Sequence, residues 1–226
     1  MALTLSGTNG VVGAGFTLDA SGASVTAGIG TFSSISAGCS FTAAGLTGAL
    51  PAISGANLTG LTAGITMLDQ YYLNTQKSGT AGEEIFMNTN FDRVTGNITG
   101  AAVIGTGMTK SSEVFSFPST GIYHLRFRSN VMLDSGTSAN RYAENKIYVT
   151  TNNGGSYSLV SMGLDGIVSG SGERFGNPIA EFYFDVTDTS THKCKFSVQS
   201  GNDAYKIITS SGRLDTVITF TKIGDT

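Results

Sequence analysis

The side chains best suited to catalysis are few in this 226-residue chain, and they lie far apart in the sequence. The two histidines are His124, within an alternating apolar and polar run, and His192, in a polar stretch typical of a loop. Serine and aspartate are abundant, but the nucleophile-elbow motif G-x-S-x-G is absent. These residues therefore do not predict a Ser/His/Asp hydrolase.

Two pairs of carboxylates have the residue types of a glycosidase acid and base. They are Glu83 with Glu84, and Asp165 with Glu173. All four stand in turn-rich sequence, where a solvated surface charge is the simpler interpretation. We accordingly expect a protein that is not an enzyme.

Cofactor and metal sites are not indicated either. The glycine pairs in Gly13-Ala-Gly15 and Gly170-Ser-Gly172 lack the preceding strand and following helix of a phosphate-binding loop, so they predict turns. No loop is as rich in oxygen ligands as a dedicated calcium loop. The aspartates considered for such a loop are Asp134, Asp165, Asp188 and Asp203. We expect no cofactor and name no metal ligand.

The two cysteines predict buried free thiols and not a disulfide. Cys39 lies in the low-charge N-terminal segment, and Cys194 alternates onto the same face as Phe196 and Val198. Free cysteine often behaves as a small buried hydrophobic residue. Two cysteines in a chain of this length do not make a dense disulfide framework or a zinc site.

Charge and hydropathy exclude two classes of partner. The net charge is −3 and only 13% of residues are charged, with no basic stripe that could neutralise a row of phosphates. We therefore expect no nucleic acid partner. No apolar run approaches the ~18 to 20 residues that span a bilayer, so we expect no membrane insertion. The opening residues also lack the pattern of a secretion signal.

The first 66 residues differ sharply from the rest, because Asp19 is their only charged residue. They are rich in Gly, Ala, Ser and Thr, and the phrase Thr-Ala-Gly-Ile occurs at Thr26–Ile29 and again at Thr62–Ile65. Such degenerate repeats favour short strands in an elongated stalk, although a flexible Gly/Ser linker is an alternative. With so few large side chains, the segment is expected to order only against other copies or another body. We therefore divide the chain into residues 1–66, a stalk, and residues 67–226, a globular domain.

The junction from Leu58 to Tyr72 is ambiguous in the sequence. Its apolar residues follow a 3-4-3-4 spacing that is typical of a coiled-coil seam. Glycines and threonines in the same stretch lower its helix propensity. A short helical neck and an extended or β-structured neck therefore both stay open.

Beyond Leu68 the apolar residues alternate as in β-strands, with turn-rich pieces between them and no convincing amphipathic helix. This pattern predicts an all-β antiparallel sandwich or jelly roll. Its candidate strands are Glu113–Phe117, Ile122–Arg128, Asn145–Thr151, Tyr157–Leu164, Glu181–Val186, Lys193–Gln199, Ala204–Thr209 and Thr216–Ile223. Alternation does not distinguish a core position from a subunit interface. The residues predicted to lie in one or the other are Tyr123, Leu125, Phe127, Phe182, Phe184, Phe196 and Val198.

The run from Phe115 to Phe127, F-S-F-P-S-T-G-I-Y-H-L-R-F, resembles the core of the C1q and tumour-necrosis-factor-like jelly-roll signature. In that signature a Phe stands six residues before a Gly, and Gly-x-Tyr-x-Phe-x-Phe/Tyr follows. Leu125 replaces the first of the two expected aromatics after the tyrosine, and the upstream half of the signature is not matched. The resemblance implies three jelly rolls around a threefold axis.

The wider phrase from Gly105 to Tyr123 resembles the C1q-like domains of tail-fibre and other structural proteins of marine bacteriophages, in particular cyanophages. The stretch from Gly48 to Leu61 is similar to the low-complexity stalks of such fibres. These resemblances imply a homotrimeric virion protein assembled in the host cytoplasm. Its N-terminal segment would bind other virion proteins.

Two functions follow from that resemblance. The first is a tail fibre or spike whose jelly-roll head contacts a host surface glycan or protein through loops such as Ser135–Asn140 and Gly166–Pro178. The second is a capsid decoration or tail-adaptor protein with a purely architectural role. A glycan-cleaving appendage is a third and weaker interpretation.

Overall fold

The computed structural model describes residues 64–95, 98, 101, 103–133, 141–168, 172–201 and 203–226. All of them belong to one compact unit, which spans Leu58–Thr226. Residues 1–63 of the predicted stalk, which include Cys39, lie outside the described residues, as does the loop Ser135–Asn140.

The described part of the chain is all-β, as the alternation predicted, and contains no helix. The described residues therefore include no helix that could cross a membrane. Its strands are β1 (Met67–Leu73), β2 (Lys77–Gly79), β3 (Glu84–Phe86), β4 (Phe91–Arg93), β5 (Thr109–Ser111), β6 (Val114–Ser116), β7 (Gly121–Arg128), β8 (Val131–Leu133), β9 (Tyr142–Thr150), β10 (Ser158–Gly166), β11 (Arg174–Gly176), β12 (Ile179–Val186), β13 (Lys193–Ser200), β14 (Tyr205–Ile207) and β15 (Val217–Gly224).

The strands form a sandwich of two large antiparallel sheets, together with a third, smaller sheet. The five-stranded sheet has the order β12-β7-β15-β1-β4. The six-stranded sheet runs β10-β9-β13-β6-β5, with β3 also paired to β13. A four-stranded sheet has the order β11-β8-β14-β2. Neighbours in these sheets are mostly distant in sequence, as in a jelly roll.

Strand β1 settles part of the ambiguity at the junction. Leu68 and Tyr72 lie in a strand that pairs with β15 on one side and with β4 on the other. Its burial alternates with a period of two residues, which is the periodicity of a strand. The helical alternative is therefore wrong for Met67–Leu73, while Leu58–Ala63 lie outside the described residues.

The core between the two large sheets is built on aromatic rings in edge-to-face contact. Phe115 packs against Tyr71 and Phe196 with ring centroids 5.0 and 5.6 Å apart, and Phe220 lies 5.1 Å away. Edge-to-face pairs are a favoured aromatic geometry. Cys194 is a free, fully buried thiol in this core, and its burial raises the pKa of the thiol well above its usual range.

One polar residue stands among the inward positions of β9. The Asn145 side-chain amide donates to the carbonyls of Phe127 at 3.2 Å and Pro178 at 2.7 Å, and its oxygen accepts from the Ser129 hydroxyl at 2.5 Å. Because its amide is satisfied, a fully buried asparagine is tolerated there. The hydrogen bonds join the six-stranded sheet to β7 and to the residue before β12.

Candidate functional site

Six of the seven residues predicted for the core or a subunit interface are buried within a single chain. Phe182 is partly buried and packs against the same core. The six are Tyr123, Leu125, Phe127, Phe184, Phe196 and Val198. These six side chains therefore belong to the core of the single chain.

The two histidines occupy unrelated environments. His124 projects from the outward face of β7, beside Arg126, and its ring stacks on Tyr183 at 4.8 Å. His192 is buried and stacks on Phe184 at 5.4 Å, with the Thr191 hydroxyl 3.0 Å from its Nδ1. Because Tyr183 and Phe184 are consecutive residues of β12, the two histidines lie on opposite faces of that strand.

Three of the four carboxylates with the residue types of a glycosidase acid and base accept hydrogen bonds that explain their positions. Glu83 accepts hydrogen bonds from the Thr80 backbone N–H at 2.8 Å and from its hydroxyl at 2.9 Å, which lowers the pKa of Glu83. Glu84 accepts from the Tyr148 and Ser197 hydroxyls at 2.7 and 2.5 Å. Asp165 accepts from the Asn177 N–H at 2.7 Å. Each of these contacts holds a turn or a strand pair in place.

The aspartates considered for calcium are likewise engaged, apart from Asp134, which lies outside the described residues. Asp188 accepts from the Ser190 N–H and hydroxyl at 2.8 and 2.7 Å, and these bonds lower its pKa. Asp203 forms an ion pair with the buried Arg141 at 2.9 Å. Within the described ranges, no group of three or more His, Cys, Asp or Glu residues could hold a metal ion.

The outward face of the six-stranded sheet carries a dense polar network. Lys195 lies over the rings of Phe86 and Tyr157, with Nζ 4.2 and 4.6 Å from their centroids, and pairs with Glu113 at 3.6 Å. Burial and the Glu84 carboxylate raise the pKa of Tyr148 to about 12, so this phenol stays protonated and donates. Cation–π contacts, an ion pair and hydrogen bonds thus link the polar and aromatic side chains of this face, and they stabilise the solvent-facing side of the sheet.

The most unusual surface is apolar and lies where the edges of the two large sheets meet. Exposed apolar side chains project from β10 and from the adjacent β12, and we call this surface the seam. Its members, with their exposed fractions, are Leu159 (47%), Met162 (51%), Leu164 (56%), Ile179 (41%) and Tyr183 (63%). Phe175, in the segment between the two strands, is also 52% exposed. Grouped exposure of this kind marks interaction surfaces in soluble proteins.

Gly163 makes the seam possible. A Cβ at this position would lie 1.8 Å from the Ile179 carbonyl oxygen, so only glycine lets β10 approach β12 this closely. β10 pairs with β9 on its other side, with an irregularity between Leu159 and Ser161. The two sheets thus meet edge to edge, and the large apolar side chains are left pointing outward.

A second apolar group lies at the opposite edge of the five-stranded sheet, and we call it the far patch. Its anchor is Ile104, whose N–H and carbonyl bond Leu68 of β1 at 2.9 and 3.1 Å on the β4 side of that strand. The members are Ile65 (48%), Val103 (36%) and Ile104 (43%). Seam and far patch are therefore separated by the width of one sheet.

The sheet face between them is polar. Arg126 Nε pairs with Glu181 Oε1 at 2.7 Å, and His124 Nε2 lies 3.8 Å from the same oxygen. Alternation in Ile122–Arg128 and Glu181–Val186 correctly placed these side chains away from the core. It gave no sign of the seam, because the face exposed by β10 depends on which strand lies beside it.

Comparison with known proteins supports the fold alone. No protein-family profile matches the chain, and no curated protein matches it. Among solved structures, Eiger TNF from S. frugiperda has a TM-score of 0.50 at 9% identity, covering 73% of this chain and 96% of that one. Murine APRIL at pH 5.0 has a TM-score of 0.46 at 12% identity, covering 69% and 98%. The described domain is thus a jelly roll of the tumour-necrosis-factor type.

Proposed function

We propose that this chain forms a homotrimer and serves as a non-enzymatic structural component of a bacteriophage virion, with the jelly roll as a head that contacts the host surface. The observation that supports the assembly is that each chain carries two separate apolar surfaces, the seam and the far patch. Seam and far patch lie at opposite edges, so a contact of the seam with a second seam leaves the far patch uncovered. A head-to-tail contact of seam against far patch covers both, and such contacts close into rings.

The ring is expected to contain three chains, because the resemblance around Phe115–Phe127 implies a threefold assembly. The phage assignment rests on the resemblance of Gly105–Tyr123 and of the low-charge stalk to fibre proteins. Localisation in the virion and attachment through residues 1–66 belong to the same proposal. Part of one proposed contact loop, Gly166–Pro178, is ordered by β11, whose Arg174 pairs with Leu133 of β8.

The assembly is tested with two variants that each place a charge in one of the two surfaces. Leu164→Asp alters the seam and Ile104→Asp alters the far patch. In sedimentation equilibrium the full chain is expected at three times its 23.3 kDa mass, and each variant at a lower mass. Ser158→Asp adds the same charge to an exposed position on β10 and is expected to stay trimeric.

Mixing the two variants distinguishes a contact of the seam with the far patch from a contact of the seam with a second seam. An Ile104→Asp chain keeps its seam, and a Leu164→Asp chain keeps its far patch, so one intact contact forms between them. The mixture is expected to contain a mixed dimer that neither variant forms alone. A wild-type chain that is monomeric at all concentrations would contradict the assembly.

Host contact is tested by competition. Purified wild-type protein added to host cells is expected to reduce adsorption of the parent phage, because it occupies the surface receptor. Denatured protein at the same concentration serves as the control. No competition at saturating concentration would favour the architectural role over attachment.

A further inference from the structure

A cavity of about 400 Å³ opens at one end of the five-stranded sheet. Part of its wall is the outward side of β1 at Tyr72, together with Asn74 just after the strand. Another part is the loop of residues 209–212, between β14 and β15. Small-molecule sites in proteins commonly have volumes of about 300 to 1,000 Å³, so this cavity has the size of a binding site.

The register of the five-stranded sheet places the cavity far from the beginning of β1. Residues 64–66 lead into β1 at Met67, which lies about 17 Å along the strand from Tyr72. The residues paired in succession across β1, β15, β7 and β12 at the level of the cavity are Tyr72, Val217, Arg128 and Ile179. Because Ile179 directly follows the loop Gly166–Pro178, the cavity and this proposed contact loop lie at the same end of the sheet.

The cavity is lined by polar groups, and none of its described lining residues is charged. The Asn74 amide donates to Asp92 Oδ2 and keeps a second N–H and a carbonyl oxygen. The Thr209 hydroxyl donates to the last carbonyl of β1, so its oxygen can accept from a ligand. The Ser210 hydroxyl accepts from Arg213 at 2.9 Å, so its proton can be donated. These contacts hold the polar groups in place and leave part of their hydrogen-bonding capacity for a ligand.

This combination of groups selects a class of ligand. A phosphate or carboxylate would find no cation in the described lining, and the bordering Arg213 is paired with Asp215 at 3.2 Å. A purely apolar ligand would leave the amide and hydroxyl groups unpaired. A sugar ring has hydroxyl groups that donate and accept, and C–H faces that can pack against Tyr72 and Ile98. A neutral saccharide therefore matches the lining best.

We propose that this cavity binds a neutral saccharide of the host surface, with a sugar ring against Tyr72 and its hydroxyl groups bonded to Asn74 and to residues 209–211. The inference rests on the host contact of the proposed function and gives that contact a position and a ligand class. Tyr72 lies about 13 Å along β1 from Leu68, to which the far patch is anchored. Blocking the cavity is therefore expected to leave the trimer intact.

Ser211→Trp tests the site by filling it. Ser211 is exposed and belongs to the lining, so a large side chain there is expected to block the cavity without unfolding the chain. Ser158→Trp makes the same change at an exposed position on β10 and is the matched control. Tyr72→Ala removes the aromatic ring, whereas Tyr72→Phe keeps it. Circular dichroism and sedimentation check the fold and the assembly of every variant.

The probes are neutral oligosaccharides released from the surface polysaccharide of host cells, and a panel of free neutral hexoses and N-acetylhexosamines. Binding to the full chain is measured by saturation-transfer difference NMR and by titration calorimetry. The wild type, Ser158→Trp and Tyr72→Phe are expected to have Kd values within about threefold of one another. Ser211→Trp and Tyr72→Ala are expected to bind at least about tenfold more weakly. Ser211→Trp is also expected to lose the competition with phage for host cells.

The outcomes separate this inference from the proposed function. Saccharide binding that is unchanged in Ser211→Trp overturns the inference, because the sugar then binds elsewhere. A wild type that binds none of the probes also overturns it, and if that protein still competes with the phage, the host contact stands with another ligand, such as a protein. If the wild type binds sugar in the cavity but does not compete, the saccharide site stands, and its assignment to the host surface fails together with the proposed host contact.

Discussion

At the scale of single residues, Asp69 shows how one buried charge organises an irregular stretch of chain. Its fully buried carboxylate pairs with Arg93 Nε at 3.1 Å and accepts the Met108 N–H at 2.8 Å. The hydrogen bond from the Met108 N–H holds the segment that leads into β5. The Arg93 guanidinium also donates to the Met108 carbonyl. Burial raises the pKa of Asp69, even though Arg93 and the hydrogen bonds act in the opposite direction.

This pKa has a measurable consequence for stability. A carboxyl group whose pKa is raised in the folded state stabilises the fold fully below its ordinary pKa of 3.8. This stabilisation is lost as the pH rises through the raised pKa. Asparagine has no such ionisation. The free energy of unfolding of the wild type minus that of Asp69→Asn is therefore expected to fall as the pH rises from 3 to 6, measured by urea denaturation.

Asp188 provides the control for this experiment because its shift has the opposite sign. It is exposed, and hydrogen bonds from Ser190 lower its pKa, so its contribution is present above pH 3.8 and is lost as the pH falls. The free energy of unfolding of the wild type minus that of Asp188→Asn is expected to rise from pH 3 to 6. If the difference in unfolding free energy between the wild type and Asp69→Asn also rises from pH 3 to 6, the raised pKa of Asp69 is contradicted.

At the scale of elements, the meeting of β10 and β12 is the feature on which the surface depends. The close approach at Gly163 holds Leu164 and Met162 outward on one strand and Ile179 and Tyr183 outward on the other. Without it, the two sheets would separate at this edge and the apolar side chains could turn toward the gap. The seam is thus a product of backbone packing as much as of side-chain type.

Gly163→Ala tests that dependence. The added methyl group must displace the Ile179 backbone, and overpacking of this kind costs about 1 to 3 kcal/mol. The variant is expected to unfold at lower urea concentration and to assemble more weakly. Gly166→Ala on the same strand meets no atom within 4 Å and is expected to match the wild type. Equal stability of the two variants would contradict the close approach.

The strands also show where sequence periodicity was informative. Ile122–Arg128 and Glu181–Val186 were recognised because their apolar residues alternate, and they lie within β7 and β12. Three-residue strands such as β2 and β11 were missed, since three residues are too few to show a period. Gly166–Pro178, predicted as a turn-rich loop, contains β11, which is held by pairing with distant β8.

At the scale of the whole molecule, association and stability are expected to be coupled. If the chain folds and assembles together, mass action makes the melting temperature rise with protein concentration. The melting temperature of the wild type is therefore expected to rise by several degrees over a hundredfold increase in concentration, measured by calorimetry. That of Leu164→Asp is expected to be independent of concentration. A wild-type melting temperature that does not change would contradict coupled assembly.

The sequence alone determined the all-β class, the identity of the long strands and the inward face of β7, because alternation is a local property of the chain. It also predicted the separation of a low-charge segment from an ordinary domain. The seam and the far patch were decided only by tertiary structure. Whether Leu164 or Ile104 is exposed depends on which distant strand covers it, and no local pattern records that pairing.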